Sequence, residues 1–132
     1  MLTRIDHIGI AVQNIQDALT FFQDALGVQL ERIESEEGGR TDVAFLPVGE
    51  SDVELVEPQD TDSGLAKYLA KRGEGIHHIC FEVDDIQAAL ARLKVHGAQL
   101  IDETPRTNAR GQQYAFIHPK SAHGVLIELY QK

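Results

Sequence analysis

Apolar residues alternate with polar or small ones from Ile5 to Val12, in IDHIGIAV, which is the two-residue period of a half-buried strand. Beyond Asn14 the period lengthens. Ile15, Ala18, Leu19, Phe22 and Leu26 recur at helical spacing, Asn14 is an N-cap residue, and Gly27 is a stop. Weaker alternating stretches predict strands near 29–34, 41–47 and 51–57, with a turn at 36–39. A short amphipathic stretch, 64–72, predicts a helix.

The same order of elements returns. Shifted by 71 positions, Ile5–Leu19 falls on Ile76–Leu90, with eight of fifteen residues identical, among them His7 on His78. In the second copy Asp84 or Asp85 caps a helix, Ile86, Ala89, Leu90 and Leu93 form its stripe, and Gly97 ends it. Strands are predicted near 99–103, 113–118 and 125–130, with a loop at 107–111. A long period present only twice implies duplication within one α+β domain. The expected organisation is a first module over about 1–60, a connector over about 61–74 and a second module over about 75–132.

Alternation sorts the chemistry. Ile8, Ile10 and Val12 share the strand face that should pack on the helix, and His7, Gly9 and Ala11 share the other. In the copy, Ile79, Phe81 and Val83 face the helix, while His78 lies with Cys80 and Glu82. Both histidines thus lie on the non-helix face, the side a curved sheet turns towards a cavity. The last strand of each module behaves alike: Glu54 alternates with Val53 and Leu55, and Glu128 with Ile127 and Leu129. A carboxylate in such an apolar strand is costly to bury unless it is paired or bound to a metal. The repeat therefore selects His7, Glu54, His78 and Glu128 as ligands of one divalent ion, Co²⁺, Zn²⁺, Ni²⁺ or Mn²⁺. The remaining histidines read differently. His77 is structural, His96 ends a helix where a cation complements the dipole, and His118 and His123 lie near a turn. Cys80 reads as a small buried thiol.

The chain's 132 residues suit one domain, and its apolar and charged content is that of a folded globular protein. A net charge of −9 argues against nucleic acid as a partner. No apolar run reaches the ~20 residues of a membrane span, and no signal-peptide pattern opens the sequence. The single cysteine gives no internal disulfide, so the cytoplasm is the expected compartment.

The motifs IDHIGIAV, VELVEP, GIHHICFEVDDI and HPKSAHGVLIEL resemble the vicinal oxygen chelate (glyoxalase, bleomycin resistance and dioxygenase) superfamily, and within it the methylmalonyl-CoA epimerases. The resemblance implies two tandem βαβββ modules forming a curved, partly open barrel around a metal held by His7, Glu54, His78 and Glu128. It also implies a homodimer. The implied reaction interconverts the C2 epimers of methylmalonyl-CoA through a metal-stabilised enolate. Two acid/base groups would flank C2: Glu128, and Asp42, which aligns with a family position that can carry glutamate. Arg106, Arg110 and Lys120 are the basic residues nearest to loops that could take the CoA moiety. A glyoxalase I-type lyase acting on a glutathione hemithioacetal could use the same ligands. An extradiol dioxygenase needs only three ligands, and a non-catalytic drug-binding protein of this fold would need none of them.

Overall fold

A computed structural model describes all residues, 1–132. Eight strands and three α-helices form two compact units, Ile8–His77, and Met1–His7 together with His78–Lys132. The first strand, β1 (Leu2–Ala11), gives its early residues to one unit and its later ones to the other.

In the Ile8–His77 unit, β2 (Arg32–Glu36), β3 (Thr41–Val48) and β4 (Ser51–Pro58) follow β1 in sequence, and the strand order is β2-β3-β4-β1. The β3–β4 hairpin closes through Gly49 at φ +62°, a value that favours glycine. Helix α1 (Ile15–Leu19) begins where Asn14 accepts the Asp17 N–H, then widens into a π-helical segment, Thr20–Ala25. The widening has a cause in the sequence. The first module carries one more residue between cap and stop glycine (Asn14 to Gly27) than the second does (Asp85 to Gly97). The wider turn absorbs it.

Two cores flank this sheet. Val12, Ile15, Leu19, Ala44, Leu46 and Leu55 pack together on the α1 side. On the other side Ala11, Val43, Phe45 and Val56 meet Leu65, Tyr68 and Leu69 of helix α2 (Gly64–Arg72). The connector helix thus runs over the residues expected and covers part of a face that the sequence had left to a cavity.

The other unit orders its strands β1-β5-β8-β7-β6, from β5 (Gly75–Val83), β6 (Arg106–Thr107), β7 (Gln113–Ile117) and β8 (Leu126–Gln131). β5 and β8 run parallel, with Cys80 opposite Glu128, whereas β7 and β8 run antiparallel, with Phe116 opposite Glu128. Helix α3 (Ile86–Val95) is capped by Asp85 and packs Ile86 and Leu90 on Val83, Ala115, Ile117 and Leu129.

Three strand expectations are corrected. β1 starts at Leu2, because Thr3 hydrogen-bonds Glu82 and the Met1 carbonyl accepts the Asp84 N–H. β2 starts at Arg32 rather than near Gln29. The strand expected at 99–103 is only an isolated bridge, Leu100 to Ile117. There the Asp102 carboxylate takes the Phe116 N–H at 2.9 Å, in place of the carbonyl of a regular ladder.

Candidate metal centre

Three side chains expected from the repeat converge within the unit that contains β5 and β8. His7 Nε2 lies 2.9 Å from His78 Nε2. Glu128 Oε1 lies 3.2 Å from the first nitrogen and 3.3 Å from the second. Both imidazoles are buried, and the Glu128 side chain keeps 14% of its exposure. These separations fit a shared ion. At a metal–ligand length of about 2.1 Å, two ligands at right angles lie about 3.0 Å apart, and two at a tetrahedral angle about 3.4 Å. Two imidazole nitrogens and one carboxylate oxygen are donors for a borderline divalent ion.

Burial alone would raise the Glu128 pKa. The hydrogen bonds from His7 and His78, and any positive charge on them, outweigh it and hold the carboxyl down at about 2. The group is therefore an anion at neutral pH, ready to bind a cation.

Sequence reasoning passed over Asp6. Its Oδ2 lies 2.9 Å from His7 Nδ1, and its Oδ1 takes a 2.8 Å bond from the Arg4 guanidinium. Arg4 is itself held by Glu82 at 3.1 Å, which also accepts from Thr3. The repeat could not reveal Asp6, because its counterpart is His77. Adjacency to a candidate ligand was the available signal.

Asp6, His7 and Cys80 also cluster closely enough to suggest an acid–base–thiol triad. The thiol rules that out: Cys80 has no exposed surface, and burial pushes its pKa up to about 12.

The remaining expected residues are distributed as follows. Glu54 is buried in the Ile8–His77 unit, opposite Phe45, on the strand face that carries Val43 and Val56. Each candidate glutamate therefore faces a phenylalanine on the neighbouring strand, Phe45 or Phe116. Asp42 is not brought to that face. Strand alternation places it with Ala44 and Leu46 on the α1 side, opposite Glu57.

Arg106, Arg110 and Lys120 are all exposed, in the unit that carries Glu128. Arg106 lies over Tyr114 at 4.9 Å and pairs with Asp102 at 3.3 Å. Arg110 sits in a loop folded around Asn108, whose Oδ1 accepts the N–H groups of residues 110 and 112. A further cation went unnoticed in the sequence: Arg32 lies 3.8 Å over Phe45. Among the other histidines, His77 packs edge-on against Tyr68, His96 ends α3, and His118 caps a short 3₁₀ turn, Pro119–Ala122.

Residues 6–116 match the model of the Glyoxalase/Bleomycin resistance protein/Dioxygenase superfamily, and the chain belongs to that superfamily. An uncharacterised Bacillus subtilis protein, YqjC, is 41% identical over 97% of this chain and 91% of its own length. The ethylmalonyl-CoA/methylmalonyl-CoA epimerase of Cereibacter sphaeroides is 36% identical over 99% of both chains. A solved structure of a methylmalonyl-CoA epimerase in complex with methylmalonyl-CoA and ammonium superposes with a TM-score of 0.91 at 37% identity, covering 100% of this chain and 96% of the other. The lactoylglutathione lyase of Neisseria meningitidis is 32% identical over 98% of this chain and 91% of its own. No helix is long and apolar enough to cross a membrane.

Proposed function

We propose that the chain is a divalent-metal-dependent epimerase that interconverts the C2 epimers of methylmalonyl-CoA. The observation that carries this reading is the convergence of His7, His78 and Glu128 on one point, in a chain that matches CoA-thioester epimerases along its whole length. His7, His78 and Glu128 would hold the ion. Glu54 would be the fourth ligand, by its equivalence to Glu128 in the repeat and its burial in an apolar strand. Once bound, the ion would supply Lewis-acid stabilisation for charge that develops on the thioester oxygen.

The chain's own residues do the rest. Glu128 is buried and anionic, and it would take the C2 proton from a substrate placed against it on leaving the two imidazoles, whose contacts hold its basicity down. Epimerisation also needs an acid on the opposite face of C2. The resemblance puts Asp42 forward for that role, and its place on the α1 side of β3 makes Asp42→Asn the variant that tests it. Arg106, Arg110 and Lys120 would meet the phosphates of CoA and offset locally a net charge of −9, which otherwise repels an anionic substrate.

The test is loss of α-deuterium from methylmalonyl-CoA by the metal-loaded protein, assayed beside turnover of a glutathione hemithioacetal. Exchange of the thioester proton is expected. Turnover of the hemithioacetal alone would assign the lyase reaction instead. Metal analysis of the wild type and His78→Ala tests the ligands: one ion per chain is expected in the first and almost none in the second. Equal metal in both would remove His78 from the set.

A further inference from the structure

The two candidate histidine ligands occupy equivalent places in the repeat but have different surroundings. We propose that Asp6 is a positioning residue: it fixes the tautomer and ring orientation of His7, so that Nε2 is presented to the metal without a proton. The inference rests on the metal site proposed above and adds an asymmetry that the repeat does not contain.

An ionised carboxylate can only accept, so the 2.9 Å contact between Asp6 Oδ2 and His7 Nδ1 requires the proton to sit on Nδ1. A neutral imidazole carries one ring proton. With Nδ1 so committed, Nε2 is the nitrogen that would bind the metal, and it faces His78 Nε2 at 2.9 Å and Glu128 Oε1 at 3.2 Å. A hydrogen bond on the distal nitrogen sets which nitrogen binds metal, and it raises the basicity of the ligand.

Asp6 is itself held in place. Arg4 bonds its other oxygen at 2.8 Å, and Glu82 fixes Arg4 through Nε at 3.1 Å. Thr3 and Lys132 reach Glu82 in turn. This line of charge-assisted bonds runs from the exposed start of β1 to the buried ligand and leaves the Asp6 carboxylate little freedom to rotate. His77, the counterpart of Asp6, has no carboxylate to offer and packs on Tyr68. The second module therefore supplies a natural control.

The experiment titrates metal-free wild type, Asp6→Ala, Asp6→Asn and His77→Ala with Co²⁺, followed by its visible absorption. Asp6→Ala is expected to weaken Co²⁺ binding by about 10- to 100-fold. Asp6→Asn, whose side-chain carbonyl still accepts from Nδ1, should recover part of the loss. His77→Ala should stay within about twofold of wild type. Long-range ¹H–¹⁵N correlation spectra of the Zn²⁺-loaded proteins supply a second readout. They should show His7 as the Nδ1–H tautomer in wild type, with Nε2–H appearing in Asp6→Ala, a change that loss of packing alone would not produce.

Tight binding by wild type with unchanged affinity and tautomer in Asp6→Ala would overturn the role of Asp6 and leave the metal site standing. An equal loss in His77→Ala would also overturn it, since any disturbance beside a ligand would then suffice. Failure of the wild type to bind Co²⁺ would remove the metal site, and this inference with it.

Discussion

The two modules solve one construction problem twice and diverge where chemistry is set. In each, a side chain three residues past the candidate glutamate accepts the first N–H of that module's own helix: Glu57 takes the Ile15 N–H at 2.8 Å, and Gln131 takes the Ile86 N–H at 2.7 Å. Each clamp ties the strand that carries a glutamate to the helix that follows a histidine strand, and so fixes their register. The differences lie beside the ligands. Asp6 is replaced by His77, Gly9 by Cys80, and a helix with a π-helical segment by a regular one. The frame is thus what the duplication preserved, and the surroundings of the ligands are what it left free to change.

The largest effect should separate the two carboxylates that the sequence put forward as acid/base groups. Glu128→Gln keeps an oxygen donor near the histidines but removes the proton acceptor, so epimerisation should fall by about 10²- to 10⁴-fold. Asp42→Asn, on the α1 side of β3, should keep kcat/KM within about threefold. Deuterium exchange at C2 measures both. A loss in Asp42→Asn as large as that in Glu128→Gln would show that the β3 face assignment is wrong.

A smaller effect comes from the exchange of Gly9 for Cys80. In the unfolded chain the Cys80 thiol ionises near 9.0, whereas burial in the folded state pushes that to about 12. Below pH 9 the thiol is neutral in both states and contributes no pH dependence. Between 9 and 12 the unfolded state loses its proton first, so stability falls as pH rises, by at most about 4 kcal/mol at about 1.4 kcal/mol per pH unit. Urea unfolding at pH 8 and pH 10.5 measures this. Cys80→Ala should lose less stability over that interval than wild type, because the other alkaline groups, Tyr130 among them, are common to both proteins. Parallel losses would place the thiol in contact with water.

How much of this could be read from the chain depends on the range of the interaction. The strand–helix order, the caps at Asn14 and Asp85 and the stops at Gly27 and Gly97 follow from local periodicity and backbone preference. The connector helix was legible for the same reason. The pairing of His7 with His78 was legible because the repeat records it directly. The role of Asp42 came from likeness to a family position, and its face on β3 was not legible until the strand pairing put Ala44 and Leu46 on the α1 side. Asp6 and Arg32 were hidden because their roles arise from a neighbouring ring and a cross-strand partner, neither of which leaves a periodic mark. The missing strand at 99–103 turned on a single side chain, Asp102, which replaced a backbone acceptor.

The smallest expected effect tests the feature the two modules share. Glu57 and Gln131 do the same work with different charge, and a carboxylate at a helix N-terminus gains from the helix dipole where an amide does not. Glu57→Leu should therefore cost about 1–2 kcal/mol, and Gln131→Leu about 1 kcal/mol, both within the range for lost caps and hydrogen bonds. Glu57→Gln, which gives the first module the clamp of the second, should cost only about 0.5 kcal/mol, and less at high salt. Urea unfolding at two salt concentrations measures all three. Glu57 also accepts a 2.7 Å bond from Gln59 at its other oxygen, where the amide nitrogen of Glu57→Gln can instead donate to the Gln59 carbonyl once that amide turns over, so the comparison bears mainly on charge. If Glu57→Gln costs as much as Glu57→Leu, the carboxylate does more than hold a helix end, and the equivalence of the two clamps fails.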